Sequence, residues 1–128
     1  MVRGDIRVEW GGGIKTGAKA FVQEAVDHSL RLENALSRLT TERRVVLLHY
    51  SPIRETVQGE NPEIFPFLGS SRLENPINQF NVSVVFHGHA HNGTPTGKTT
   101  ALIPVFNVSL PVISKQNGQE LPLLVYEV

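Results

Sequence analysis

Apolar and polar positions alternate along the first stretch of the chain, where Ile6, Val8 and Trp10 interleave with Asp5, Arg7 and Glu9. This predicts a short strand over residues 5–10 with one wet face. Gly11, Gly12 and Gly13 end it as a flexible connection. From residue 16 or 17 to residue 39 the apolar positions Val22, Ala25, Val26, Leu32, Leu36 and Leu39, with Ser29 among them, step by three and four. That spacing predicts an amphipathic helix roughly 34 Å long at 1.5 Å per residue. Residues 40–44 make a polar turn. Residues 44–50 then form a continuous β-branched and leucine run, the pattern of a strand covered on both faces. Ser51-Pro52 stops it.

Residues 53–69 are rich in Pro, Gly and Glu and carry no period, so they read as a long loop. Ser70 or Ser71 begins a short helix, with Ser71 and Glu74 at capping-box spacing and Pro76 after Asn75 as a second possible start. Strands are predicted at residues 81–86, 103–108 and 121–128, with residues 110–113 between the last two. Asn117-Gly118 has the signature of a type I′ hairpin joining those two. The fold class is therefore α/β: a mixed sheet with one long and one short helix.

At 128 residues the chain is expected to be one domain, with a core of its own. Twelve basic and twelve acidic residues cancel, so no charged field argues for a dedicated nucleic-acid surface. No apolar run approaches the ~18 residues needed to span a bilayer, and the start has no signal-peptide core; a soluble, cytoplasmic protein is expected. Cysteine is absent, so histidine must carry any transition-metal binding. Gly97-Lys98-Thr99 has the letters of a phosphate-binding loop, but its spacing is wrong and no helix pattern follows.

Three of the five histidines, His87, His89 and His91, close the apolar run 84–86 at every second position. A strand feeding a glycine-containing loop is where α/β proteins hold side chains open to ligand. Gly88 lets the backbone turn after His87, so His89 and His91 are the candidate metal ligands and His87 the residue supporting them from behind. His49, at the end of the other buried run, is the third candidate ligand, since neighbouring strand ends converge on one edge. Imidazole suits manganese, iron, zinc and nickel alike. His28 falls beside the helix stripe and is expected to be solvated. Arg54, Arg72 and Lys98 are candidate phosphate contacts, although solvation is the commoner role of such cations.

The residues Leu47-Leu48-His49-Tyr50-Ser51-Pro52, then Val85 to Gly93 with its Gly88-His89-Ala90-His91 element, then Pro104 to Val108, resemble the C-terminal half of a calcineurin-like metallophosphoesterase. The resemblance implies half of an αββα sandwich and hydrolysis of a phosphomonoester or phosphodiester by a metal-activated water. It implies two divalent ions about 3.5 Å apart, with His49 and His89 on one and His91 on the other, and Asn92 and His87 behind them. The family's Asp-x-His, Gly-Asp-x-x-Asp and Asn-His motifs have no counterpart here; Asp5 and Asp27 are the two aspartates, and no histidine follows an asparagine. The chain is thus expected to be the C-terminal portion of such an enzyme, with at most one weakly held ion and no activity alone. Two dications without a bridging carboxylate would repel each other. The alternative expectation is a non-catalytic metal-binding or oligomerising module of the same descent. A homo-oligomer is expected under both.

Overall fold

The computed structural model describes residues 18–118 and 122–128, and the side chains from Gln23 onward. The strand expected at residues 5–10 and the Gly11 to Gly13 connection lie outside the described residues.

Helix α1 runs from Ala18 to Ser37. It matches the stepping of the apolar stripe, which buries Leu32 and Leu36 and packs Leu39 at its edge. Its last turn tightens, with the Arg38 and Leu39 amides bonding three residues back, to Ala35 and Leu36. Four strands form one sheet: β1 (Val45–Leu48), β2 (Val84–His87), β3 (Thr96–Lys98) and β4 (Pro104–Asn107), in the order β1-β2-β4-β3. β1 and β2 are parallel, β2 and β4 are parallel, and β3 runs antiparallel to β4. The fold is mixed α/β, as expected.

Register decides which side chains share a face. Val46, Val85 and Val105 stand side by side and meet Leu32, Leu36, Leu73 and Ile77 in the main core. Further along the same face come Leu48, His87 and Asn107, so the core ends in polar side chains at the carboxyl ends of the strands. The opposite face carries Val45, Leu47, Phe86 and Phe106. Tyr126 rests on Phe86 and Phe106 at ring-centroid distances of 6.1 and 5.3 Å, and Arg43 donates to the Val128 carbonyl, so residues 122–128 lie across this face. Val45 and Leu47 remain 50% and 67% exposed. The first run is therefore covered on one face only, against the expectation of two.

Four helices occur among the described residues, not one long and one short. Residues 53–69 are not irregular: they wind through 3₁₀ turns at Glu55–Val57 and Pro62–Ile64 into a one-turn helix, α2 (Phe65–Leu68). Asn61 caps the second turn through the Glu63 amide, and Pro66 fits the first turn of α2, where no intrahelical donor is needed. A 3₁₀ turn at Ser71–Leu73 leads into α3 (Glu74–Gln79), with Pro76 inside the helix rather than at its start. The cap is Ser70, which accepts from the Arg72 amide. The expected Ser71–Glu74 box does not form, because the Glu74 carboxylate accepts from the Thr100 amide at 2.6 Å instead.

The fourth helix, α4 (Leu110–Asn117), occupies the stretch expected to lead into a hairpin at Asn117-Gly118. Pro111 sits in its first turn and Val112 and Ile113 are buried. Gly118 then leaves helical geometry at φ +65°, ψ −125°, a conformation open to glycine. The Asn-Gly pair is thus a helix stop, and residues 122–128 pair with no strand among the described residues. No described helix is long and apolar enough to cross a membrane.

Candidate metal centre

The loop after β2 is a succession of tight turns. Gly88 O accepts from the Ala90 amide at 2.8 Å, and His89 O from the His91 amide at 2.9 Å. The first is a γ-turn with His89 at its centre and φ +67°. A non-glycine residue rarely adopts that conformation, and such strain gathers where a side chain must be aimed. Between the two histidines Ala90 is fully buried against Val57, Leu68 and Phe65. The loop is thus pinned at its middle, with an imidazole on either side of the pin.

Further bonds lock the loop to the 3₁₀ turn at Glu55–Val57. Asn107 Nδ2 donates to the Ala90 carbonyl at 2.8 Å and the Thr56 carbonyl at 3.2 Å. The Asn92 amide donates to Glu60 at 2.7 Å. Gly93 lies so close to this turn that a Cβ on it would sit 2.1 Å from the Thr56 carbonyl oxygen.

His87 is buried behind the loop and is fully bonded within the protein. Its Nδ1 lies 2.8 Å from the Gly88 carbonyl, which can only accept, so Nδ1 carries the proton. Nε2 must then accept, and it does so from the Thr56 hydroxyl at 2.7 Å. Thr56 Oγ1 in turn lies 2.7 Å from Ser51 Oγ, which takes the Ile53 amide. Burial pushes the His87 pKa down to about 4, partly opposed by the Gly88 bond and assisted by His49 and His89. His87 is a neutral core histidine with both nitrogens occupied.

The structure brings His49 and His89 together, with ring centroids 4.7 Å apart. His49 follows β1 directly and its carbonyl accepts from the Gly88 amide at 3.2 Å, which ties the two strand ends. His89 Nε2 donates to the Phe67 carbonyl at 3.2 Å, leaving Nδ1 with the lone pair a metal would use. Desolvation, then the charges of His89 and His91, lower the pKa of His49 and favour its neutral, ligating form. His91 is exposed on the far side of Ala90. Among the described residues no three His, Asp or Glu side chains converge closely enough to hold an ion together. The two imidazoles whose rings meet are those of His49 and His89.

Tyr50, given no role from the sequence, stands beside this pair. Its ring meets His49 and His89 edge to face at 5.1 and 5.3 Å, and His28 stacks on it at 6.2 Å. His28 is therefore half-buried in a ring contact rather than solvated. Burial and Glu24 raise the Tyr50 pKa to about 12, so the phenol stays protonated. Of the cations, Arg54 lies over the Phe65 ring at 5.7 Å. Arg72 is exposed on the 3₁₀ turn before α3, and its carbonyl accepts from Ser29 of α1. Lys98 pairs in register with Pro104 at the start of β4, the opposite end of the sheet from the histidines. Thr56, Ser51 and Glu60 left no signal in the sequence: hydroxyls and a carboxylate in a loop show their partners only once the fold exists.

No protein-family model, no curated protein and no solved structure matches this chain.

Proposed function

We propose that this chain is the C-terminal portion of a metal-dependent phosphoesterase of the calcineurin-like type, contributing His49 and His89 to one divalent ion and His91 to a neighbouring one. One observation carries the reading: the ring of His49, at the end of β1, and that of His89, on the strained loop after β2, have centroids 4.7 Å apart. A bound ion of this kind supplies an activated water for attack on phosphorus. The protein's part is to favour the neutral form of His49, to fix the His89 tautomer through Phe67, and to wall the pair with Tyr50. Among the described residues no carboxylate joins the histidines in a group of three: Asp27 accepts from Gln23 on α1, and Glu60 from Asn92. The chain alone is therefore a weak, single-ion binder without activity.

A manganese titration of the full chain followed by NMR tests this. The expected result is weak binding that perturbs His49 and His89 first and disappears in His89→Ala, with negligible hydrolysis of 4-nitrophenyl phosphate. Metal that leaves both imidazoles unperturbed would sink the reading. Robust hydrolysis abolished by His89→Ala would overturn the claim of inactivity.

A second reading, a non-catalytic module that assembles with copies of itself, is favoured by a separate observation. Val45 and Leu47 leave an apolar edge exposed on the sheet's second face.

A further inference from the structure

The turns that replace the expected loop at residues 53–69 enclose a cleft of about 460 Å³, lined by Ile53, Arg54, Val57, Phe65, Pro66 and Ser70 among others. That volume is in the range of small-molecule sites, and the walls set apolar side chains, Ile53, Val57 and Phe65, beside polar ones, Arg54, Ser70 and Ser71. One of those groups is charged. The Arg54 guanidinium lies over the Phe65 ring and forms no ion pair among the described residues. A guanidinium with vacant donors beside an apolar wall selects a ligand that is anionic at one end and apolar at the other.

Neither His49 nor His89 lines the cleft, but shared neighbours connect it to the pair. Pro66, Gly69 and Ser70 line both this cleft and a smaller hollow of about 30 Å³ that contains His28 and Tyr50. Tyr50 touches both His49 and His89, and α2, which walls the cleft, accepts the His89 bond through Phe67. Of the two, the larger cleft has the room for an organic group reaching past the histidines.

We infer that this cleft binds the organic part of an aryl or heterocyclic phosphoester, its ring against Phe65 and the apolar wall and an anionic oxygen on Arg54. The inference rests on the phosphoesterase reading only in calling the ligand a substrate. Neither Arg72 nor Lys98 lines the cleft.

The test uses the full chain in EDTA, with phenyl phosphate, inorganic phosphate and phenol as probes and NMR as the readout. Phenyl phosphate should bind more tightly than either fragment and perturb residues 53–71. Arg54→Ala should weaken it roughly tenfold, with Arg54→Lys between the two. Arg54 is exposed, so both variants keep the fold. Binding unchanged in Arg54→Ala, or perturbations centred on Arg72 or Lys98, would overturn the assignment. Phenyl phosphate no tighter than inorganic phosphate would also overturn it, by showing an unspecific anion contact. The manganese titration is independent of these arms: loss of metal binding with phenyl phosphate retained counts against the metal site, and the converse counts against the cleft.

Discussion

The hydroxyl of Thr56 is where the histidine loop and the turn beneath it are joined, since it links His87 Nε2 to Ser51 Oγ at 2.7 Å on each side. Thr56→Val keeps the shape but leaves the His87 nitrogen buried without a donor, and should lower unfolding free energy by about 1–3 kcal/mol. Urea unfolding measures this; an unchanged midpoint would mean that water replaces the hydroxyl. The same network makes a pH prediction. The folded-state pKa of His87 is about 4 against an ordinary 6.5, so the unfolded chain binds the proton that the folded chain refuses. His87 thus leaves stability intact above pH 6.5 and erodes it as pH falls through 6.5 towards 4, by about 3 kcal/mol in total. Urea midpoints taken in EDTA at pH 7.5 and 4.5 should show that fall in the native chain and much less of it in His87→Asn. From the sequence, the pattern of alternating histidines and the turn at Gly88 marked His87 as support. Its partner, 31 residues away in sequence, was not legible, because a threonine inside an aperiodic stretch carries no spacing signal.

At the scale of elements, legibility followed burial. α1, β1, β2 and β4 lie where the apolar periods put them, because each buries a stripe in the main core and that burial imposes the period. Residues 53–69 follow another rule: short 3₁₀ turns are set by local caps such as Asn61 and by the anchoring of Val57, Phe65 and Leu68 on Ala90, neither of which repeats along the chain. Asn117-Gly118 misled for a related reason. Positive φ serves a hairpin and a helix stop equally, and the choice falls to whether residues 110–117 bury a helical face, as Val112 and Ile113 do. Among the described glycines the tightest approach is that of Gly93 to the turn at Thr56. Gly93→Ala forces a Cβ into a carbonyl oxygen at 2.1 Å, so one backbone must move. The expected outcome is a loss of at least about 2 kcal/mol, with His89 and His91 resonances displaced in NMR spectra; a native-like spectrum would show that the loop slides freely.

For the molecule as a whole, the two faces of the sheet have unequal cover. One is sealed by α1 and α3 over the main core. The other is crossed by residues 122–128, whose Leu123, Val125 and Val128 are themselves 51%, 80% and 44% exposed, beside Val45 and Leu47 on the edge strand. Among the described residues the outer edge of β1 pairs with no further strand, and an apolar edge next to an apolar strap invites a second apolar surface. The formal net charge of zero puts no long-range repulsion between copies at neutral pH. Self-association that grows with concentration is therefore expected, and light scattering across a dilution series should record it. Leu47→Lys should shift the chain towards monomer, because it places a charge where a second copy would bury it. The substitution should leave the urea midpoint nearly unchanged, since Leu47 is 67% exposed and contributes little to the fold of one copy. This pair of readouts separates assembly from folding: a large drop in the midpoint would place Leu47 in the monomer's own core. A native chain that stays monomeric to about 1 mM, where an interface worth only about 4 kcal/mol would be half-formed, would remove the second face as a contact between copies.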